Sequence, residues 1–182
     1  MRQAGAAGRR DRPGGVRLAR HLKSGFDVAM AKEIERKFLV NGSAWRADAG
    51  AGVAITQFYV ATGEARSVRV RIADDAKAKL TVKFGGAARE RDEFEYAIPV
   101  EDARDMQRFA IGNVIDKTRR EVVHRGRVYE VDSFAGALDG LVIAELETAD
   151  EVADDELPAW LGREVTGEEG FYNLSLALRG LR

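Results

Sequence analysis

From Glu33 onward the chain repeats with a period of two, and one of the two alternating sets of positions is heavily charged. A β-strand sends successive side chains to opposite faces, so this pattern confines the chain to sheets with one apolar side and one polar side. Strands are read at 33–40, 55–61, 67–73, 79–85, 91–98, 114–123, 127–134 and 141–148. Turn residues in "ADDAKA", in "HRG" and at Asp139-Gly140 join successive strands as hairpins. "PVEDARDMQRFAIG" sets Ala103, Met106, Phe109 and Ala110 at helical spacing behind Pro99, and "EEGFYNLSLALRG" predicts a terminal helix stopped by Gly180. Many short antiparallel strands with few helices predict a mainly β (α+β) fold. Its expected form is a closed eight-stranded antiparallel β-barrel or tunnel with flanking helices, because closure removes exposed edges.

Alternation also assigns the charges to faces. Glu33, Glu35 and Lys37 share one side of the first strand, Arg69 and Arg71 one side of the third, and Lys79, Thr81 and Lys83 one side of the fourth. Glu93 pairs with Glu95, Glu130 with Asp132, and Glu145 with Glu147 in the same way. A sheet with one wet face gives such alternation in most antiparallel proteins. Here, however, the signs are sorted, with basic and acidic pairs on separate strands. The acids of "LVIAELET" also stand within an apolar run and need an enclosed polar environment. Clustered carboxylates suit a hard divalent cation such as Mg2+ or Mn2+, and clustered Arg and Lys suit phosphate oxygens. A metal-bound polyphosphate satisfies both.

Composition narrows the alternatives. A chain of 182 residues with 45% hydrophobic residues builds one domain with a substantial core. The absence of Cys removes disulfides and thiolate sites and suits a cytoplasmic location. His21 and His124 sit in a tail and a turn, so a histidine metal site is disfavoured. No apolar run approaches the roughly 20 residues of a membrane span. Residues 1–29 carry seven Lys or Arg against two Asp and no apolar period. They are expected to be a disordered basic extension, read as upstream sequence before a start at Met30, with the folded domain at 30–182. "KFGGAARERD" lacks the Lys-Ser or Lys-Thr of a phosphate-binding P-loop and is read as a loop.

Taken in order, Glu33-x-Glu35-x-Lys37, Arg69-x-Arg71, Thr81-x-Lys83, "EFEY" at Glu93 to Tyr96, Lys117-x-Arg119, "EVD" at Glu130 to Asp132 and "AELE" at Ala144 to Glu147 resemble the CYTH superfamily, the triphosphate tunnel metalloenzymes. "PAWLGREVTGEEGFYN" is similar to the end of its short bacterial members, whereas Tyr129 stands where many relatives have Trp. The resemblance implies metal-dependent hydrolysis or cyclisation of triphosphates. It implies metal ligation by Glu33, Glu35, Asp132, Glu145 and Glu147, phosphate binding by Lys37, Arg69, Arg71, Lys83, Lys117 and Arg119, and supporting acids at Glu93, Glu95 and Glu130. Glu35, Arg71, Lys83 and Tyr59 are the expected catalytic set, with Tyr59 positioning Lys83 or water. Trp45 and Trp160 are expected to pack rather than to bind substrate. Inorganic triphosphate is the favoured substrate. A nucleoside or thiamine triphosphatase, a class IV-type adenylate cyclase and a non-catalytic polyphosphate-binding module are the alternatives. No nucleic-acid or membrane partner is expected, and a homodimer is left open.

Overall fold

The computed structural model describes residues 34–85, 92–148 and 151–181. The basic extension expected at 1–29 and most of the glycine-containing loop before the fifth strand lie outside these residues. Nine strands form one antiparallel sheet: β1 (Ile34–Val40), β2 (Val53–Gly63), β3 (Arg66–Ala73), β4 (Lys77–Phe84), β5 (Asp92–Ile98), β6 (Ile111–His124), β7 (Arg127–Phe134), β8 (Val142–Thr148) and β9 (Leu161–Glu164). Their spatial order is β5-β4-β3-β2-β6-β7-β8-β1-β9. Two helices, α1 (Val100–Met106) and α2 (Asn173–Arg179), pack against the sheet.

The hairpin turns form where the sequence places them. Asp74 and Asp75 both adopt positive φ between β3 and β4, and Arg125 with Gly126 does the same between β6 and β7. Two consecutive left-handed residues match the right-handed twist of the flanking strands. Asp74 also accepts a hydrogen bond from the Ala54 amide at 2.8 Å, which ties the first turn to β2.

The expected closed eight-stranded barrel is not what forms. Among the described residues the sheet has nine strands and two free edges, β5 and β9. Closure requires two long edges in register, and neither end offers one. β9 is four residues long and meets β1 through an irregular register between Phe38 and Val40. β5 is exposed along nearly its whole length. The ninth strand escaped detection because "LGRE" is too short to show a period.

The sheet is nevertheless curled. Leu39 of β1, Ile143 of β8, Phe134 of β7, Ile115 of β6 and Tyr59 of β2 belong to one apolar cluster around Leu176 and Ala177 of α2. Laid flat, β1 and β2 would stand roughly 19 Å apart, four interstrand spacings. A seven-residue helix is only about 10 Å long, so the strands must wrap around it. The convex face is buried by two other clusters. α1 sets Ala103 on Phe58, Val70, Ile72 and Ala78, and Trp45 packs with Val122, Tyr129, Val131, Ala144 and Leu146, with Trp160 alongside. Both tryptophans and Tyr129 therefore pack on the side away from the charges.

Gly112 shows how closely α2 is seated. It sits at φ +74°, and a Cβ there would collide with the Ala177 carbonyl oxygen. Gly126 has a similar φ of +76° but open space around it. Gly126→Ala should cost about 1–2 kcal/mol of conformational strain. Gly112→Ala should cost clearly more, because the helix must also shift. Equal losses in denaturant unfolding would show that α2 is loosely held.

Candidate active site

The concave face carries the charges in register. Across β6, β7, β8 and β1, Arg119 stands opposite Asp132, Glu130 opposite Glu145, and Glu145 opposite Lys37; further along, Glu35 stands opposite Glu147. Across β2 to β5, Gln57 faces Arg71, Tyr59 faces Arg69, Arg69 faces Thr81, Thr81 faces Glu95, and Lys83 faces Glu93. The period of two has thus placed the described candidates on one curved surface. Glu33 lies outside the described residues.

Like charges directly across a ladder repel, so Glu130 opposite Glu145 and Glu35 opposite Glu147 need compensation. For the first pair the compensation is Arg119. Its Nε donates to Asp132 at 2.7 Å, its Nη2 to Asp132 at 2.6 Å and Glu145 at 2.9 Å, and its Nη1 to Glu130. Lys117 donates to Asp132 Oδ2 at 2.5 Å, sharing that oxygen with Arg119 Nη2, with 0% of its side chain and 1% of that of Asp132 exposed. Lys37 bridges Glu145 at 2.6 Å and Glu35 at 2.9 Å. The expected sorting by sign therefore does not hold on this wall, where three cations are interleaved with the carboxylates. Among the described residues no three acidic side chains form a ready-made ion cage; their oxygens are arranged around Arg119 and Lys37.

The opposite wall is different. Arg69 is 7% exposed, donates to Thr81 at 3.3 Å, and lies 3.8 and 3.9 Å from Glu95 and Glu93. Those acids are engaged more closely by others, Glu95 by Lys79 at 2.8 Å and Glu93 by Lys83 at 2.7 Å. Arg71 has no ion-pair partner among the described residues, and its Nε and that of Arg69 are buried without acceptors. Positive charge is thus concentrated on β3 and only partly compensated. Tyr59 is placed beside Arg69 at the apolar floor, not against Lys83, which is tied to Glu93.

Titration behaviour follows from this packing. Burial lowers the Arg71 pKa, and the neighbouring positive charges of Arg69 and Arg119 lower it further. Burial also draws Lys117 down to about 8, partly resisted by Asp132. For Lys37, burial is outweighed by Glu145 and Glu35 and the pKa rises. Burial opposes ionisation of Tyr59 and raises it, although Arg69, Arg71 and Lys37 pull the other way. Glu145 is also buried, but Lys37, Arg119 and Lys117 outweigh that effect and hold its carboxyl at about 2.

Two contributors went unassigned in the sequence reading because they are neutral. Thr81 is fully buried and relays Arg69 to Glu95, to which its hydroxyl donates at 3.1 Å. Gln57 is also fully buried, and neither of its amide atoms has a partner among the described residues. The available signal was one amide in "VAITQFYV", on the same side of the strand as Tyr59.

The depressed Glu145 pKa has a defined sign. A carboxyl held at about 2 when folded, against an ordinary 4.5, contributes stability that is present above pH 4.5 and lost as pH falls toward 2. Without metal, the native chain should lose about 2–3 kcal/mol more than Glu145→Gln across that window. Denaturant unfolding at a series of pH values checks this, and parallel profiles would contradict it.

Comparison with known proteins identifies the family. The CYTH domain pattern matches residues 31–181. An inorganic triphosphatase of Acetivibrio thermocellus is 43% identical over 148 residues, spanning 81% of this chain and 94% of that protein. One of Nitrosomonas europaea is 32% identical over 150 residues, spanning 80% and 97%. A solved structure described as an inorganic triphosphatase superposes with a TM-score of 0.62 at 31% identity, covering 80% of this chain and 94% of that one. The chain belongs to the CYTH domain family.

Proposed function

We propose that this chain is a divalent-metal-dependent triphosphatase that hydrolyses inorganic triphosphate to diphosphate and phosphate on the concave charged face. The observation that carries this reading is the pair of buried Arg69 and half-buried Arg71, which lacks full compensation and faces a wall of carboxylates. An anion alone would be served by the basic wall. Carboxylates from β1, β7 and β8 are of use when the anion arrives with a cation. The names of the relatives, inorganic triphosphatases, support the same substrate class.

The donor chemistry fits Mg2+ or Mn2+. Asp132, Glu130 and Glu145 already converge on the guanidinium of Arg119, and Glu35 and Glu145 on the ammonium of Lys37, so these oxygens are arranged to surround positive charge. Glu35, Asp132, Glu145 and Glu147 are the proposed ligands, with Glu33 assigned by its sequence pattern. A bound ion would supply charge neutralisation between adjacent phosphates and acidify a water molecule.

The chain's own groups do the rest. Arg69, Arg71 and Lys83 hold phosphoryl oxygens from one wall, and the cations freed from the acids, Lys37, Lys117 and Arg119, hold them from the other. Phosphoryl transfer depends chiefly on positioning and on stabilising charge spread over oxygens. Glu93 and Glu95 restrain Lys83, Lys79 and Arg69 rather than meeting the anion.

An inorganic substrate is favoured over nucleoside or thiamine triphosphates by the names of the relatives. A base or thiazole needs a flat apolar shelf beside the phosphate site. Among the described residues Trp45, Tyr129 and Trp160 lie on the convex side, Tyr59 and Phe134 belong to the floor closed by α2, and Tyr172 has the Lys37 ammonium 6.0 Å from its ring centre. No described helix is long and apolar enough to cross a membrane. The Cys-free composition favours the cytoplasm as the working compartment.

The test is phosphate release from tripolyphosphate, ATP and thiamine triphosphate with Mg2+, with Mn2+ and with chelator. Metal-dependent release, fastest from tripolyphosphate, is expected. Arg71→Ala should lower turnover about 10²–10³-fold. Tight binding without release under either metal would leave a polyphosphate reader instead.

A further inference from the structure

Gln57 is fully buried on the concave face of β2, directly opposite Arg71, and neither its Oε1 nor its Nε2 is hydrogen bonded to any described residue. Such a group is costly, because a buried amide without partners forfeits its hydration and gains nothing in return. It is also not isolated. The Nε–H groups of Arg69 and Arg71, one strand away, are buried and unpartnered as well. On its ladder Gln57 has Arg71 on one side and Ile115 on the other.

Counting donors and acceptors decides what this arrangement lacks. The carboxamide has one accepting oxygen, whereas its own Nε2 and the two arginine Nε–H groups are donors. The two lone pairs of that oxygen can at most take both arginine Nε–H groups, which leaves the two N–H bonds of Nε2 without an acceptor. The remaining donors exceed the acceptors that the protein provides there, so they await oxygens brought from outside.

We propose that Gln57 is a positioning residue of the phosphate site, its Oε1 accepting the Nε–H of Arg71 so that both terminal nitrogens of that guanidinium are presented to one phosphoryl group. The role rests on the triphosphatase reading and adds to it a neutral group that the charged pattern does not contain. Opposed residues on an antiparallel pair have Cβ atoms about 5 Å apart, so a change of side-chain rotamer is enough to make the bond. A guanidinium held at its Nε keeps the planar fork that matches a phosphate, whereas one held nowhere must lose that freedom on binding. The unfavourable free state is then relieved when the anion enters.

Binding of tripolyphosphate in chelator, measured by calorimetry, tests this with the full chain. Gln57→Leu should weaken the affinity at least about tenfold, the weight of one hydrogen bond to a charged group. It should do so without lowering the melting temperature, since it removes an amide that has no partner in the free protein. A purely structural role would show the reverse, a lower melting temperature with unchanged affinity, and would overturn the proposal. In an Arg71→Lys background, which has no Nε–H, adding Gln57→Leu should cost little more. Full additivity would mean that Gln57 does not act through Arg71. Turnover is read separately. If the native chain binds tripolyphosphate and releases no phosphate, the triphosphatase reading fails while the affinity difference still supports Gln57; equal affinities overturn the Gln57 role whatever the turnover.

Discussion

Arg119 is the interaction on which the charged face depends. Its guanidinium meets Asp132 twice and reaches both Glu130 and Glu145, so it joins β6 to β7 and β8 across the concave surface. Without it, Asp132 and Glu145 would keep only Lys117 and Lys37, and Glu130 would face Glu145 with no cation between them. Removing one partner from such a network leaves an uncompensated buried charge, which is far more costly than replacing the whole network by apolar groups. The chain retains the ionic arrangement although an apolar one would be the simpler core. That choice makes sense if the charges exist to be exchanged for those of a ligand.

The apolar floor and the charged walls are parts of one design. Leu39, Ile115, Phe134 and Ile143 continue the strands that carry the charged pairs, and with Tyr59 of the uncharged β2 they meet α2. β1, β6, β7 and β8 therefore change from charged to apolar along their own length while keeping the same face. Hydrophobic burial against α2 supplies the drive to curl the sheet, and curling brings β1 and β3 near enough for their charges to act on a common guest. Lys37 and Arg71, on strands separated in the sheet order by β8, β7, β6 and β2, both influence the hydroxyl of Tyr59.

Much of this was legible in the chain, and the part that was not has physical causes. Alternation over "KEIERKFLV" and "SVRVRI" identifies strands and their charged sides because a side chain's face depends only on parity. It carries no information about whether the last strand meets the first. The open sheet follows instead from the four residues of β9, too few to leave a periodic mark, and from the exposure of β5, which alternation does not reveal. Sign sorting was read strand by strand, yet ion pairing runs across strands; only the registers of β6 with β7 and β8 with β1 place Arg119 and Lys37 among the acids. Thr81 entered only as a member of Thr81-x-Lys83 and Gln57 was given no role, because a search for charge assigns nothing to a neutral hydroxyl or amide. The signature pairs were nonetheless specific enough to identify the family from their order alone.

The central claim is that the acidic and basic groups of this face are held in mutual compensation that cation and anion relieve together. Calorimetric titration of Mn2+ with and without a non-hydrolysable triphosphate analogue measures this directly. Each should tighten the other by at least about tenfold, a coupling near 1.4 kcal/mol or more, because the metal releases Lys37 and Arg119 to the anion. Identical Mn2+ affinities in the two titrations would contradict the account.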